Sequence, residues 1–343
     1  MELVLFRTIW IWKGDFIMKA TQEKEADLGN SSIGKLLFKL ALPAILAQII
    51  NVMYNMVDRM YIGHIADVGP SALTGVGVTM PLIMAISAFA ALVSMGGAPR
   101  ASIMMGKGDK ETAEKILGNC TTMLVLMAAV LTAVILLFGK PILLMFGASD
   151  NTIGYAWDYM SIYAMGTIFV QISLGLNAFI NAQGYARTGM LTVAIGAVCN
   201  IILDPILIFG FDMGVKGAAL ATILSQAVSF VWVLRFLTSG KSFLRIRKGY
   251  LKLSADIILP CIGLGVSPFI MQFTESIISV CFNTSLLKYG GDIAVGAMTI
   301  MTSVMQFSML PLQGLTQGAQ PIISFNYGAG NIERVKKAFR LLL

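Results

Sequence analysis

The chain has 343 residues, of which 57% are hydrophobic and only 13% charged, and its mean hydropathy is +0.79. A soluble domain carries about 25% charged residues, and so little polar surface cannot cover this much apolar area in water, so the solvent is largely lipid. The net charge of +7 comes from Lys and Arg placed in short loops between apolar stretches, which excludes a basic nucleic-acid-binding domain.

An apolar helix needs about 20 residues to cross the hydrocarbon core. Residues 3–12 (LVLFRTIWIW) are too few and are interrupted by Arg7. They also lack the charge-first pattern and the cleavage site of a signal peptide. Met18 opens a polar stretch and reads as a more natural start, so 1–17 is expected to be an upstream addition within a cytoplasmic extension, 1–35. Spans are predicted at 36–62, 72–98, 116–138, 157–181, 189–211, 217–238, 257–287 and 293–323. A ninth begins near Lys337, and eight spans with a stub read as a C-terminally truncated all-α integral membrane protein.

Loop charges orient these spans. Lys35, Lys39, Arg100, Lys107, Lys110, Lys115 and Arg187 fall on one side, with Lys241, Arg245, Arg247, Lys248 and Lys252. Opposite them stand Lys140, Lys216 and Lys288, with Arg59 near a helix end. The positive-inside rule makes the N-terminus cytoplasmic. The basic segment 239–256 reads as a cytoplasmic linker meeting anionic headgroups, between a six-helix bundle, 36–238, and part of a second, 257–343.

The sequence repeats. GAPRASIMMGKGDKETAEK from Gly97 and GAQPIISFNYGAGNIERVKK from Gly318 share Gly-Ala, an apolar run, Gly-x-Gly and a charged helix start. Pro43 has its counterpart in Pro268. The unit is six spans in the same orientation, an arrangement that puts a pathway between two bundles.

Polar residues mark candidate sites inside the spans. Gln48, Asn51, Asn55 and Asp58 share one face of span one. Span five carries Asn200 and Asp204 one turn apart, with Pro205 favouring a kink beside the carboxylate. Span seven carries Gln272, Glu275, Ser279 and Asn283. A mid-membrane charge costs at least ~2.5–3.5 kcal/mol and persists where it lines a cavity or binds an ion. The bland alternative is hydrogen-bonded glue between helices. A carboxylate among amide and hydroxyl oxygens suits either a proton or Na⁺.

Other residues read more plainly. His64 sits at a helix end with no second ligand, and the four cysteines (Cys120, Cys199, Cys261, Cys281) form no CxxC and read as small buried hydrophobes. The 22 methionines read as apolar filler, with repacking around varied ligands as the functional alternative. No phosphate-binding loop, nucleophile elbow or zinc helix motif appears. This leaves a transporter driven by an ion gradient, and not an enzyme.

The runs LALPAILAQIINVMYNMVDRMYIG, CNIILDPILIFGFDMGVKGAALAT and PLQGLTQGAQPIISFNYGAGNIERVKKAF resemble multidrug and toxic compound extrusion (MATE) transporters, in particular a bacterial multidrug subgroup, from about Leu36 to Leu343. The resemblance implies a two-bundle fold of twelve helices, about eight of them present here. It implies secondary active export of cationic amphipathic drugs in exchange for H⁺ or Na⁺ by alternating access, in the plasma membrane, by a monomer with no cofactor and no nucleic-acid partner. It places the ion and drug site on Asp58, Asn200, Asp204 and Thr222, which would also be the Na⁺ ligands, and on Glu275 where some members carry a carboxylate. The alternatives are a lipid-linked precursor flippase, which would want arginines lining its cavity, and a non-transporting truncated remnant.

Overall fold

A computed structural model describes residues 27–66 and 68–343, apart from a number of side chains within 276–306. The expected extension up to residue 26 and the side chains of Ser279 and Asn283 lie outside the described residues. Regular structure among the described residues is helical throughout: α1 Ile33–Gly63, α2 Gly69–Gly106, α3 Lys110–Met145, α4 Ile153–Met165, α5 Thr167–Ala182, α6 Ala186–Pro205, α7 Gly214–Thr238, α8 Ala255–Gly328 and α9 Ile332–Leu342. Among them six segments are long and apolar enough to cross a membrane, or seven if α4 and α5 count as one span. In lipid every backbone polar group must be satisfied within the protein, which is why such segments are helices.

The predicted fourth span is this broken pair, bent by 60° at Gly166. A side chain at Gly166 would run into Ile223 of α7, so the bend sits where only glycine fits. The kink expected at Pro205 appears as a π-helical turn over Ile206–Gly210. Proline lacks the N–H that would continue the ladder, and the Phe211 amide reaches back to the Ile206 carbonyl at 2.9 Å.

The predicted seventh and eighth spans form one helical element. A straight helix of its 74 residues would be about 110 Å long. Yet Cys261 and Gly265 pack on Gly96 and Leu92 of α2, while Phe325 and Gly328 pack on Gly106 and Ile103 of the same helix. α8 therefore doubles back and returns to the end of the molecule from which it started. The expected stub is α9, whose helix starts at Ile332.

Lipid supplies no hydrophobic drive between helices, so small residues and interhelical hydrogen bonds set the packing. Gly97 abuts Cys120 and Phe179, and Gly175 abuts Leu124. Gln171 Nε2 donates to the Ile86 carbonyl at 2.7 Å, and Ser229 Oγ to the Thr192 carbonyl at 3.1 Å. Around them pack Leu117, Leu176, Phe179 and Val233.

The sequence repeat has a structural counterpart. After α2 the amides of Lys107, Gly108 and Asp109 bond the carbonyls of Ile103, Met105 and Met104, and after α8 those of Ala329, Gly330 and Asn331 bond Phe325, Tyr327 and Asn326. Gly108 and Gly330 close the two turns at φ of +78° and +75°, a left-handed conformation that favours glycine. Asp109 then caps α3 by accepting from the Thr112 amide at 3.0 Å. That bond holds the exposed Asp109 carboxyl below its ordinary pKa.

These two turns, the start of α1 and the segment between α7 and α8 share the basic end of the molecule. Here α8 lies against α1 and α2 with backbone touching backbone. A Cβ on Gly106 would overlap the Phe325 carbonyl, and one on Gly328 the Ile103 carbonyl. Gly96 meets Cys261 and Gly265 meets Leu92 in the same way, and Gly314 and Gly318 sit on Ile45 and Ala41 of α1. Ser102 Oγ donates across this seal to the Pro321 carbonyl at 3.4 Å.

The basic connection does not hang free. Gln183 Oε1, buried at the end of α5, accepts from Ser242 Oγ at 3.0 Å and from the Leu244 amide at 2.8 Å. Buried Glu114 pairs with Arg247, Asn119 Oδ1 accepts from the Ser254 amide at 2.7 Å, and Thr122 Oγ1 donates to the Leu251 carbonyl at 2.6 Å. The segment is a docked strap tying the start of α8 to α3 and α5, which the expectation of a headgroup-facing linker did not anticipate.

Of the four cysteines, Cys120 and Cys261 are buried as expected, Cys199 is half-buried and Cys281 is exposed. The expectation of buried hydrophobes is therefore corrected for Cys281. His64 caps the end of α1, with Nδ1 2.7 Å from the Met60 carbonyl.

Candidate functional site

Two carboxylates expected to matter meet inside the helices. Asp58 lies in the last turns of α1 and Asp204 at the end of α6, both buried, with their carboxyl groups within hydrogen-bonding reach of each other. The helical spacing of four sets Asn200 one turn before Asp204, and Asn200 Nδ2 donates to Asp204 Oδ1 at 3.1 Å. Pro205 and the π turn end the regular helix immediately beyond the carboxylate.

Three oxygens here have no protein partner: Asp58 Oδ1, Asn200 Oδ1 and Asp204 Oδ2. Neither carboxylate has a salt-bridge partner among the described residues. Leaving such atoms buried and unpaired costs about 1–3 kcal/mol each, more for charged groups. Two carboxylates in contact also repel unless a proton or a cation lies between them. An all-oxygen set with orphaned lone pairs therefore fits a hard cation or a shared proton, with Asp58, Asn200 and Asp204 as the groups that would hold it.

Thr222 of α7 lines the same cleft as Asn200. Its Oγ1 donates to the Ala218 carbonyl at 3.0 Å, and the buried Tyr159 stands beside it. This small cleft lies between α1, α5, α6 and α7. Its mostly apolar wall carries the polar side chains of Asn51, Tyr54, Asn177, Ser225 and Gln226.

The remaining expected residues divide. Asn51 lines the cleft, and Asn55 bonds back to the Asn51 carbonyl at 2.7 Å, in the manner of helix glue. Gln48 is half-buried one turn earlier, outside the cleft wall. Glu275 is exposed on α8 and lines neither the cleft nor the carboxyl pair.

Sequence reasoning missed the tyrosines. Tyr54 stands beside both carboxylates, while Tyr159 and Tyr163 stack on α4 at 6.2 Å between centroids. The signal was present for Tyr54, which lies four residues before Asp58 and so on its face. It was present for Tyr159 and Tyr163 as a spacing of four in span four. Asn177 and Gln226 carried no pattern that set them apart.

A buried carboxyl pair next to a cleft, inside a helical membrane bundle whose motif recurs six spans later, points to a membrane transporter. The MatE family model matches residues 43–206 and 268–343, and the chain belongs to that family. It is 26% identical over 314 residues to the multidrug export protein MepA of Staphylococcus haemolyticus, covering 92% of this chain and 69% of that protein. It is 24% identical to the Staphylococcus aureus (strain NCTC 8325 / PS 47) protein of that name, covering 90% of this chain and 68% of that one. The chain thus spans about two thirds of the length of these relatives.

Among solved structures, a complex of the MATE multidrug transporter DinF-BH superposes with a TM-score of 0.86 at 32% identity, over 94% of this chain and 72% of that one. An outward-facing multidrug resistance MATE family transporter superposes with a TM-score of 0.85 over 93% of this chain and 71% of that one, at 23% identity, a likeness of fold.

Proposed function

We propose that the protein is a secondary active antiporter that exports cationic amphipathic drugs in exchange for H⁺ or Na⁺ by alternating access. The observation that carries this reading is the Asp58–Asp204 pair, with orphaned oxygens and with Asn200, bonded to Asp204, on the wall of the cleft. A drug cation and a coupling ion both seek this one negative site. They exclude each other there, and this mutual exclusion couples the two fluxes. The drug loads while the pathway faces the cytoplasm, the bundles rock about the α8 contacts, and H⁺ or Na⁺ displaces it on the far side.

The residues named for this role are Asp58, Asn200, Asp204 and Thr222, which would also hold Na⁺, with Asn51 in the drug path. Gln48 and Asn55 shape the same face of α1, and Glu275 is left as a second acidic station on α8. The loop charges support a plasma-membrane protein with its N-terminus and basic end in the cytoplasm; it acts as a monomer. Relatives named as multidrug export proteins, and a structural relative named as a multidrug transporter, support a drug cargo.

The test is ethidium accumulation in cells lacking other pumps. Cells carrying the protein should accumulate less ethidium, and Asp204→Asn should remove the difference while inserting into the membrane at the same level. Unimpaired export by Asp204→Asn would refute the assignment.

A further inference from the structure

A second cleft, of about 460 Å³, lies at the basic end between the start of α1 and α9. Ser32 and Ile33 form one wall, and Glu333, Arg334, Lys336, Lys337 and Arg340 form the other. Positions 333, 336, 337 and 340 share one face of a helix. Ala338, off that face, is buried in one cluster with Leu28, Ile33 and Leu36, which packs α9 against α1.

The wall carries a surplus of positive charge. Arg334 is fixed in place: its Nε donates to Asn326 Oδ1 at 2.8 Å, and its Nη2 donates to the Ser31 carbonyl at 2.7 Å and the Leu28 carbonyl at 3.2 Å. These acceptors are neutral, so its charge stays uncancelled. Glu333 is the one carboxylate on the wall, and it pairs with Lys336 at 3.2 Å. Lys337 and Arg340 have no ion-pair partner among the described residues. On the opposite wall Ser32 makes no side-chain cap bond, and the first turn of α1 carries no acidic residue. The positive end of the α1 dipole therefore adds to three uncancelled cations.

The setting selects among anions. α1 is long and apolar enough to cross a membrane from Ile33 onward, so its start stands at the level of the headgroups. Phe38 of α1 and Phe339 and Leu341 of α9, all within two turns of the lining residues, are exposed. A soluble anion would leave these apolar side chains uncovered, whereas a phospholipid brings acyl chains together with its phosphate. Basic loops alone account for the sign of this end of the molecule, but not for a cavity between two packed helices with an arginine fixed in its wall.

We propose that this cleft binds the phosphate headgroup of an anionic phospholipid. Lys337 and Arg340 pair with the phosphate, Arg334 adds its charge from the wall, and the Ser32 hydroxyl with the first amides of α1 donates from the other side. A lipid held there bridges the first helix of the six-span bundle to α9. The inference does not rest on the antiport reading.

The full chain, purified in a neutral detergent, would be titrated with dioleoylphosphatidylglycerol and separately with dioleoylphosphatidylcholine, with bound lipid counted by native mass spectrometry. Phosphatidylglycerol should bind more tightly, and Lys337→Gln with Arg340→Gln should weaken it by roughly 25-fold, about fivefold for each cation lost. The charge-keeping pair Lys337→Arg with Arg340→Lys should retain binding. Lys248→Gln with Lys252→Gln removes the same charge from exposed positions outside the cleft and should leave binding unchanged. Equal losses from the two Gln pairs would mean a diffuse basic surface and overturn the site, as would phosphatidylcholine binding as tightly as phosphatidylglycerol. Displacement of the lipid by millimolar inorganic phosphate would overturn it in favour of a soluble anion.

Discussion

Replacing Gly106 by valine should open the basic-end seal. The Cβ would land on the Phe325 carbonyl oxygen, with the Ala329 amide nitrogen 2.9 Å away. Both are backbone atoms inside or at the end of a helix, so neither can yield as a flexible side chain would. Overpacking of this kind costs about 1–3 kcal/mol. That penalty falls only on the arrangement in which α2 and α8 touch, so it shifts the balance away from closure by roughly 5- to 150-fold. The readout is a cysteine at Ser102, in a background without other cysteines, labelled by a membrane-impermeant maleimide from the basic side. Ser102 is fully buried and bonded across the seal to Pro321, so Ser102→Cys alone should label slowly. Adding Gly106→Val, or the reciprocal Gly328→Val, should speed labelling by that factor. Gly263→Ala, where a Cβ meets open space, should not. Equal labelling of all four proteins would refute the view that these glycines form the contact that must part.

Other consequences can be measured separately. Gln183→Leu removes the acceptor of the buried Leu244 amide; an orphaned donor costs about 1–3 kcal/mol, so hydrogen exchange at 242–246 should accelerate while α3 stays protected, and unchanged exchange would mean the strap is held otherwise. The lowered pKa of Asp109 means its cap contributes stability above the unfolded carboxylate pKa, lost as pH falls through the folded value. Exchange in the first turn of α3, corrected for intrinsic rates, should therefore rise on acidification. It should not do so in α9, whose Asn331 makes no side-chain cap bond. Tyr159→Phe removes a buried hydroxyl beside Thr222; ethidium affinity should fall about 2- to 10-fold, in line with one hydrogen-bonding group, and full affinity would place Tyr159 outside the site.

The spans were legible because lipid leaves the backbone no alternative to a helix, and runs such as 72–98 show that directly in their composition. Asp58 and Asp204 were legible because a carboxylate is costly there, and Asn200 because a spacing of four stacks it on Asp204. The repeat was legible through Gly108 and Gly330, whose left-handed backbone restricts what can replace them. The bend at Gly166 was not, since a lone glycine within an apolar run gives no sign that Ile223 fills the space beside it. The strap was hidden for a related reason. Gln183 and Leu244 are 61 positions apart, and a lysine-rich loop reads the same whether docked or free. Tyr159 was obscured by its type, because tyrosines are common near membrane interfaces for reasons unrelated to a site.

The central claim is that drug and coupling ion compete for one carboxyl pair. Ethidium binding to the purified protein should be titrated by fluorescence anisotropy, against Na⁺ at constant ionic strength and pH, and then against pH at constant Na⁺. One of the two cations should raise the apparent Kd in proportion to its concentration, and Asp204→Asn should abolish that dependence. Ethidium binding that ignores both Na⁺ and pH in the wild-type protein would contradict the account.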